Sequence, residues 1–348
     1  MKIIFLNIYN GVEERGSEIF VSELACRLVS KHEVTVVQSG LKGKFPYRQK
    51  VIMGIPYLSN SGFRNIFYHF LVLYFTLRAL PFIIKEGCDW LIPVNGRSQV
   101  LICRLVRKIK KCRILIGGHA GIGREDGINL IIGRPDIFVA LTPSALTWAK
   151  HIAPRTKVQL IPNAVDLKKF HLKTENKTQF KRPLVLSVSA ILPYKRIDLL
   201  IKAIAKLPGV NFLLIGDGPA RTEITKLGAS LLPERFFYIP HVKHNKMPIY
   251  YGAADIFSLP SKSSEAFGLV YLEAMASNLP VVAPSDDNRK FIIGKAGLLC
   301  NVSDLDDYAG TLTAALKTDF RDLPRQQAEK FSWDNIASQY EQIIETVS

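Results

Sequence analysis

Two glutamates, Glu265 and Glu273, stand eight residues apart in the stretch Ser261-Lys-Ser-Ser-Glu265-Ala-Phe-Gly268-Leu-Val-Tyr-Leu-Glu273-Ala-Met-Ala276. The apolar run before it, Asp255-Ile-Phe-Ser-Leu259, is closed by Pro260 and reads as a strand. From Phe267 onward Leu269, Leu272 and Ala276 fall on one helical face. Glu265 therefore occupies the loop of a strand–loop–helix unit. A helix starting there aims the amides of Phe267, Gly268 and Leu269 into the loop, and free amides at a helix start suit a phosphate. Gly268 has no Cβ and lets a ligand approach the backbone. Glu273 follows about 7 Å further along the axis. That is the scale of a pyrophosphate-to-ribose distance, and a carboxylate accepts from two hydroxyls. An ordinary helix with two solvated glutamates would carry the same letters. The strand, the loop and the glycine favour the binding reading.

Cations stand on a second loop. The apolar run Pro183-Leu-Val-Leu-Ser-Val188 leads through Ser189-Ala-Ile-Leu-Pro193-Tyr-Lys195-Arg196 into a helix over 197–206. Lys195 and Arg196 together suit a diphosphate, arginine by a planar fork and lysine as a point charge. A solvated helix start is the alternative, but positive charge there opposes the helix dipole. The strand 211–215 ends in a tight turn, Gly216-Asp-Gly218-Pro219. In the first half, His119 stands after the strand Arg113-Ile-Leu-Ile116, in the loop Gly117-Gly-His119-Ala-Gly121-Ile-Gly123. Parallel sheets place ligands at such strand ends, although a lone histidine is also an ordinary structural residue. Gly16 opens a helix over 17–31, where it serves a phosphate or only a turn.

The elements that must position these residues alternate along the chain. Strands are expected at 2–8, 33–38, 90–94, 113–116, 136–142 and 158–161, with helices at 64–85 and 98–111 and Ser144 as an N-cap. A second alternation starts at 183, with strands at 211–215, 236–239, 255–259 and 281–283. Strands alternating with helices mean α/β domains with parallel sheets. A chain of 348 residues suggests two of them. The polar run 171–182 lacks periodicity and is the expected linker.

The formal charge of +16 implies an anionic partner. Arg97, Arg104, Arg107, Lys108, Lys110, Lys111 and Arg113 form a dense basic run whose target is an acidic membrane surface or, more simply, solvent. No aromatic–basic recognition motif accompanies the charge, so no nucleic acid partner is expected. The apolar run Ile66-Phe-Tyr-His-Phe-Leu-Val-Leu-Tyr-Phe-Thr-Leu77 is shorter than the roughly 20 residues of a spanning helix. It is expected to be a core helix or to lie on a membrane face. Five scattered cysteines without a Cys-x-x-Cys pair point to a reducing, cytoplasmic setting and away from zinc. Met1-Lys-Ile-Ile-Phe-Leu runs directly into polar residues, so no signal peptide is expected.

Taken together, these motifs resemble those of the retaining, GT-B-fold glycosyltransferases of family 4. The resemblance rests on Gly16-Ser-Glu, Glu23-Leu-Ala, His119, Ile161-Pro-Asn-Ala-Val-Asp166, Pro193-Tyr-Lys195-Arg196-Ile-Asp198, Gly216-Asp-Gly-Pro219, Glu265-Ala-Phe-Gly-Leu with Glu273-Ala-Met, and Phe331-Ser-Trp. It implies an α/β fold of two Rossmann-like domains facing across a cleft. The implied acceptor domain is 1–170 and the nucleotide-sugar domain 171–325, with 326–348 a helix returning to the first. Lys195 and Arg196 would hold the donor diphosphate with the backbone of Ala266, Phe267, Gly268 and Leu269. Glu273 would take the ribose, Val242 would border the base, and Ser189, Gly218 and Gly16 would lie along the donor. Glu265, His119 and Lys195 are the implied catalytic residues. The implied partners are a nucleotide-sugar, a glycan or lipid-linked acceptor and an anionic membrane surface on the inner face. No cofactor and no metal are expected, because no Asp-x-Asp stands at a strand end and cations take the leaving group's charge.

The sequence also departs from the family. Ala190 stands where an arginine is usual, and Ser189, Ala164 and Ala266 replace common glycines, which requires negative φ at each. Asp286-Asp-Asn-Arg-Lys290 replaces a glycine-rich segment beside the donor. Two other readings share the fold. One is a non-catalytic, donor-binding subunit of a glycan synthase. The other is a nucleotide-sugar 2-epimerase, for which no convincing set of cleft acids and histidines is present.

Overall fold

The structure, a computed structural model, describes residues 1–12, 16–56, 64–171 and 180–346, with the backbone alone at 64–66. It divides into two compact units, Met1–Pro162 with Trp333–Ser348, and Asn163–Ser332.

The first unit runs β1 (Lys2–Leu6), α1 (Gly16–Leu28), β2 (Glu33–Gln38), β3 (Arg48–Val51), α2 (Arg64–Glu86), β4 (Trp90–Pro93), α3 (Arg97–Lys110), β5 (Arg113–Gly117), α4 (Arg124–Gly133), β6 (Ile137–Ala140), α5 (Pro143–Ile152) and β7 (Lys157–Leu160). Its described strands form a parallel sheet in the order β3-β2-β1-β4-β5-β6-β7. The inner strands are mostly apolar and buried, β4 (Trp90–Pro93) and β6 (Ile137–Ala140) at every residue, because helices cover both faces of such a sheet. The second unit carries β8 (Leu184–Val188), α6 (Ile197–Ala205), β9 (Asn211–Ile215), α7 (Arg221–Leu231), β10 (Phe236–Ile239), α8 (Met247–Tyr251), β11 (Ile256–Ser258), α9 (Leu269–Ala276), β12 (Val281–Pro284), α10 (Asp287–Ile293), β13 (Gly297–Cys300), α11 (Leu305–Lys317) and α12 (Leu323–Glu329). Its described strands form the parallel sheet β10-β9-β8-β11-β12-β13. The last helix, α13 (Trp333–Thr346), belongs to the first unit. It is held there by Arg27 on Asp334 (2.8 Å), by Phe20 against Tyr340 and by the indole N–H of Trp90 donating to the Ile344 carbonyl (3.2 Å).

Several expectations change. The second unit begins at Asn163, not 171. The reason is local: Phe170 packs on Tyr251, and Arg325 donates to the carbonyls of Leu167, Phe170 and Ala276. The returning segment starts at Trp333, not 326, because α12 packs on α9 within the second unit. The linker expected at 171–182 falls mostly outside the described residues. Thr142, not Ser144, caps α5: its side chain accepts from the Ala145 amide, with Pro143 in the first turn. The run 64–86 is one helix of 23 residues, so its length does not argue against a membrane span. Instead Val72, Phe75, Ala79 and Ile83 are buried in the core of the first unit. The basic run is also less open than its letters suggest. Arg97 forks onto Glu125, Arg107 pairs with Asp136 (3.0 Å), and Arg113 lies over the Trp90 ring.

Candidate active site

In the sheet of the second unit the strand order reverses between β8 and β11, where an open parallel sheet offers its ligand crevice. The loops that leave these two strands carry Lys195 and Glu265. A short 3-10 turn, Pro193–Lys195, lifts Lys195 off β8, and its ammonium is ion-paired with Glu265. Both side chains are nearly buried, at 10% and 14% exposure. Lys195 also lies over the ring of Tyr194, 5.2 Å from its centroid. The carboxylate cancels the positive charge at the start of α6 that looked unfavourable in the sequence.

Past Glu265 the chain turns into α9 through Gly268, whose φ of +91° is the left-handed region that glycine tolerates. A Cβ there would meet the Tyr271 ring at 2.7 Å. The helix starts at Leu269, two residues later than its apolar pattern suggests. Among the described residues the amides of Ala266, Phe267, Gly268, Leu269 and Val270 have no hydrogen-bond acceptor. These five donors open beside the Lys195–Glu265 pair. Ser189, Ala164 and Ala266 all avoid positive φ, as the loss of glycine there requires.

Glu273 lies one turn further along α9. Its Oε1 accepts from His244 Nε2 (2.9 Å) and its Oε2 from the Tyr251 hydroxyl (2.8 Å). Lys169 Nζ donates to His244 Nδ1 (2.6 Å), which places the ring hydrogen on Nε2. Phe170 packs against the same imidazole. Each carboxylate oxygen keeps a second lone pair for a ligand hydroxyl. Burial and the adjacent Glu273 hold the Tyr251 phenol well above its usual range, so it remains a donor. Lys169, His244 and Tyr251 did not stand out in the sequence, because each belongs to a different element and only folding brings them to Glu273.

Arg196 behaves differently from Lys195. At φ 53° it caps α6, and its guanidinium donates to the carbonyls of Pro260 (2.7 Å) and Ser261 and to Ser303 Oγ (3.2 Å). It straps the loop that carries Glu265. Arg289, in the segment that replaced the glycine-rich run, does the same from behind. Fully buried, it donates to Ser261 Oγ (2.9 Å), the Lys262 carbonyl (3.0 Å) and Asp286 (3.0 Å). A buried arginine signals nothing in the sequence beyond its unusual neighbours. Gly216 and Gly218 also serve packing. A Cβ at Gly216 would stand 1.9 Å from the Ser189 carbonyl oxygen, and one at Gly218 would stand 2.4 Å from that of Ile191. Val242 is half-buried in the loop after β10.

In the first unit Gly16 is the exposed first residue of α1. His119 follows β5 and folds its ring back over Gly117, where a Cβ would meet Nε2 at 2.6 Å. The ring packs on Phe20, Nε2 has no partner, and burial pushes the imidazole pKa down to about 4. His119 is therefore neutral at physiological pH. Asp126, in α4 just beyond the same loop, is buried, and burial pushes its carboxyl up to about 7.

Residues 15–169 match the profile of Glycosyltransferase Family 4, and residues 169–331 match that of Glycosyl transferases group 1. The chain belongs to the group 1 glycosyltransferases. The D-inositol 3-phosphate glycosyltransferase of Mycolicibacterium smegmatis is 32% identical over 53% of this chain and 46% of its own length. The chain thus spans about half or less of the first curated relatives it matches. The GDP-mannose-dependent alpha-(1-6)-phosphatidylinositol monomannoside mannosyltransferase of the same organism is 24% identical over 84% of this chain and 83% of its own. Among solved structures, a sucrose-phosphate synthase from Thermosynechococcus elongatus superposes with a TM-score of 0.81 at 20% identity, covering 99% of this chain and 98% of its own. The fold is GT-B, with two Rossmann-like parallel-sheet units.

Proposed function

We propose that the protein is a retaining, metal-independent glycosyltransferase. It moves a hexose-type sugar from a UDP- or GDP-linked donor to a lipid-linked or glycan acceptor, in cell-surface polysaccharide or glycolipid synthesis at the cytoplasmic side. Family membership and the GDP-mannose dependence named for one relative support a nucleotide-sugar donor. The observation that carries the reading is the row of unpartnered amides at 266–270 beside the buried Lys195–Glu265 pair.

When the bond between the anomeric carbon and the phosphate oxygen breaks, its electrons go to the diphosphate. The Lys195 ammonium and the α9 amides take up that charge where it develops. Glu273, already oriented by His244 and Tyr251, accepts the ribose hydroxyls on its remaining lone pairs. Glu265 holds Lys195 in place and sets negative charge near the anomeric carbon as positive charge grows there. His119, kept neutral by burial, hydrogen-bonds the sugar without repelling its developing positive charge. The departing phosphate oxygen takes the acceptor's proton from the same face, which preserves the anomeric configuration without an enzymic base. The exposed Ala190, where the family usually carries an arginine, favours the second reading of a donor-binding subunit without turnover.

The test is transfer of labelled sugar from a nucleotide-sugar panel into a lipid extract in EDTA, with the product anomer read by NMR. A labelled product of the donor's configuration is expected. Inverted product, dependence on divalent metal, or donor binding without transfer from any extract would each contradict part of the proposal.

A further inference from the structure

In the first unit α2 packs against α3 and α3 against α4, so the three helices form one layer over the sheet. Their outer surface is unusual for a soluble fold. On α2, Val72, Phe75, Ala79 and Ile83 enter the core, while Phe70 (64%), Tyr74 and Leu77 face outward. On α3, Val100, Cys103 and Val106 are buried, while Leu101, Leu105 and Ile109, spaced by four, are exposed, Ile109 to 67%. Ile131 and Ile132 of α4 are exposed beside them. The apolar stripes are flanked by cations. Arg78, Lys108, Lys110, Lys111 and Arg134 are exposed, and the three lysines have no ion pair among the described residues. Acidic balance is nearly lacking. Among the described residues α3 contains no acidic residue, Glu86 at the end of α2 is paired with Arg48 and Lys2, Glu125 of α4 is held by Arg97, and Asp126 is buried.

We propose that this three-helix face docks on an anionic lipid bilayer. Rows of exposed leucine, isoleucine and phenylalanine insert at the headgroup boundary, while lysine and arginine stems extend along them and place their charges among lipid phosphates. Charge complementarity selects the occupant: the face has apolar side chains to bury and cations to neutralise, with little negative charge to repel phosphates. The inference rests on the surface of the first unit and holds whichever sugar is transferred. It deepens the proposed function by placing the enzyme where a lipid-linked acceptor resides.

The experiment is co-sedimentation of the full chain with phosphatidylcholine vesicles and with phosphatidylcholine–phosphatidylglycerol vesicles, at low and high salt. The expected result is binding to the anionic vesicles that salt weakens. Each surface cation contributes about fivefold to partition, so Lys108→Ala/Lys110→Ala/Lys111→Ala is expected to lose about a hundredfold. Leu105→Ser/Ile109→Ser, which alters only exposed positions, is expected to lose on the order of tenfold or more. Donor-sugar hydrolysis without acceptor should be unchanged in both variants, which separates this inference from the transferase reading. Equal binding to neutral and anionic vesicles, or variants that sediment like the wild type, would overturn the inference. So would a wild-type dimer on gel filtration that Leu105→Ser/Ile109→Ser dissolves, since the face would then belong to a second copy.

Discussion

Lys195→Met separates what the buried pair contributes to the fold from what it contributes to chemistry. The lysine and Glu265 are 10% and 14% exposed, so deleting the ammonium leaves a carboxylate nearly buried without its partner. Breaking such a pair costs about 3–5 kcal/mol, and the residual exposure of Glu265 argues for the lower end. For a unit of this size each kcal/mol shifts Tm by about 2–4 °C, so a fall of roughly 6–12 °C is expected. Lys195→Met/Glu265→Gln removes both charges and should regain most of that loss. Activity should behave otherwise. Losing one electrostatic donor to the leaving diphosphate lowers kcat/KM by about 10²–10³, and the second substitution cannot restore it. Thermal unfolding and donor-sugar hydrolysis on the same three proteins provide the assay. A double variant no more stable than the single one would contradict the buried-pair cost, and a Lys195→Met protein with near wild-type kcat/KM would contradict the role of the ammonium at the leaving diphosphate.

Other predictions follow from the same contacts. Tyr251→Phe removes a buried donor to Glu273, which should cost about 1.5–3 kcal/mol in urea unfolding and raise KM for the donor more than it lowers kcat. Arg289→Met should destabilise the second unit by several kcal/mol and lower turnover as well, because the loop carrying Glu265 loses the guanidinium that donates to Ser261 and Lys262. The first unit should show two opposed pH effects. The unfolded chain protonates His119 near pH 6.5, but the folded protein resists until about 4, so acidification through that window costs stability. Asp126 keeps its proton up to about 7 when folded but loses it near 3.8 when unfolded, so the same acidification adds stability. Each effect reaches about 3–4 kcal/mol, and the two largely offset in the wild type. In Asp126→Asn stability should therefore fall as pH drops from about 6.5 to 4, and in His119→Gln it should rise. Denaturant unfolding across that range checks both signs, and the reverse slopes would contradict them.

How far the sequence could be read depended on whether a residue's role was local. The loop letters around Lys195 and Glu265 sit between strong strand and helix patterns, so their place in strand-to-helix loops is legible in the sequence, whereas the strand-order reversal that brings the two loops together is not, because strand order is set by packing. The polar edge strand Arg48-Gln-Lys-Val51 was not legible, because it lacks the apolar run that marks an inner strand. Gly297-Leu-Leu-Cys300 was too short, and α4 carries Gly127 and Gly133, which blur a helical pattern. Partners distant in sequence were invisible for a different reason. His244 and Tyr251 reach Glu273, and Arg289 reaches Ser261, only through packing, which no spacing rule encodes. Gly216 and Gly218 stand in the tight turn expected after β9, and what excludes a Cβ at each is the approach of the Ser189–Ile191 backbone.

In the proposed function a nucleotide diphosphate is bound by Lys195 and the amides that open α9, with Glu273 on the ribose. The most direct test of this binding is nucleotide release from a panel of UDP-, GDP- and other nucleotide-sugars in EDTA, comparing the wild type with Lys195→Ala and Glu273→Ala. Slow release from one donor by the wild type is expected, with release by each variant reduced at least about a hundredfold. Undiminished release by the two variants, or no binding of any nucleotide-sugar by the wild type, would contradict this binding.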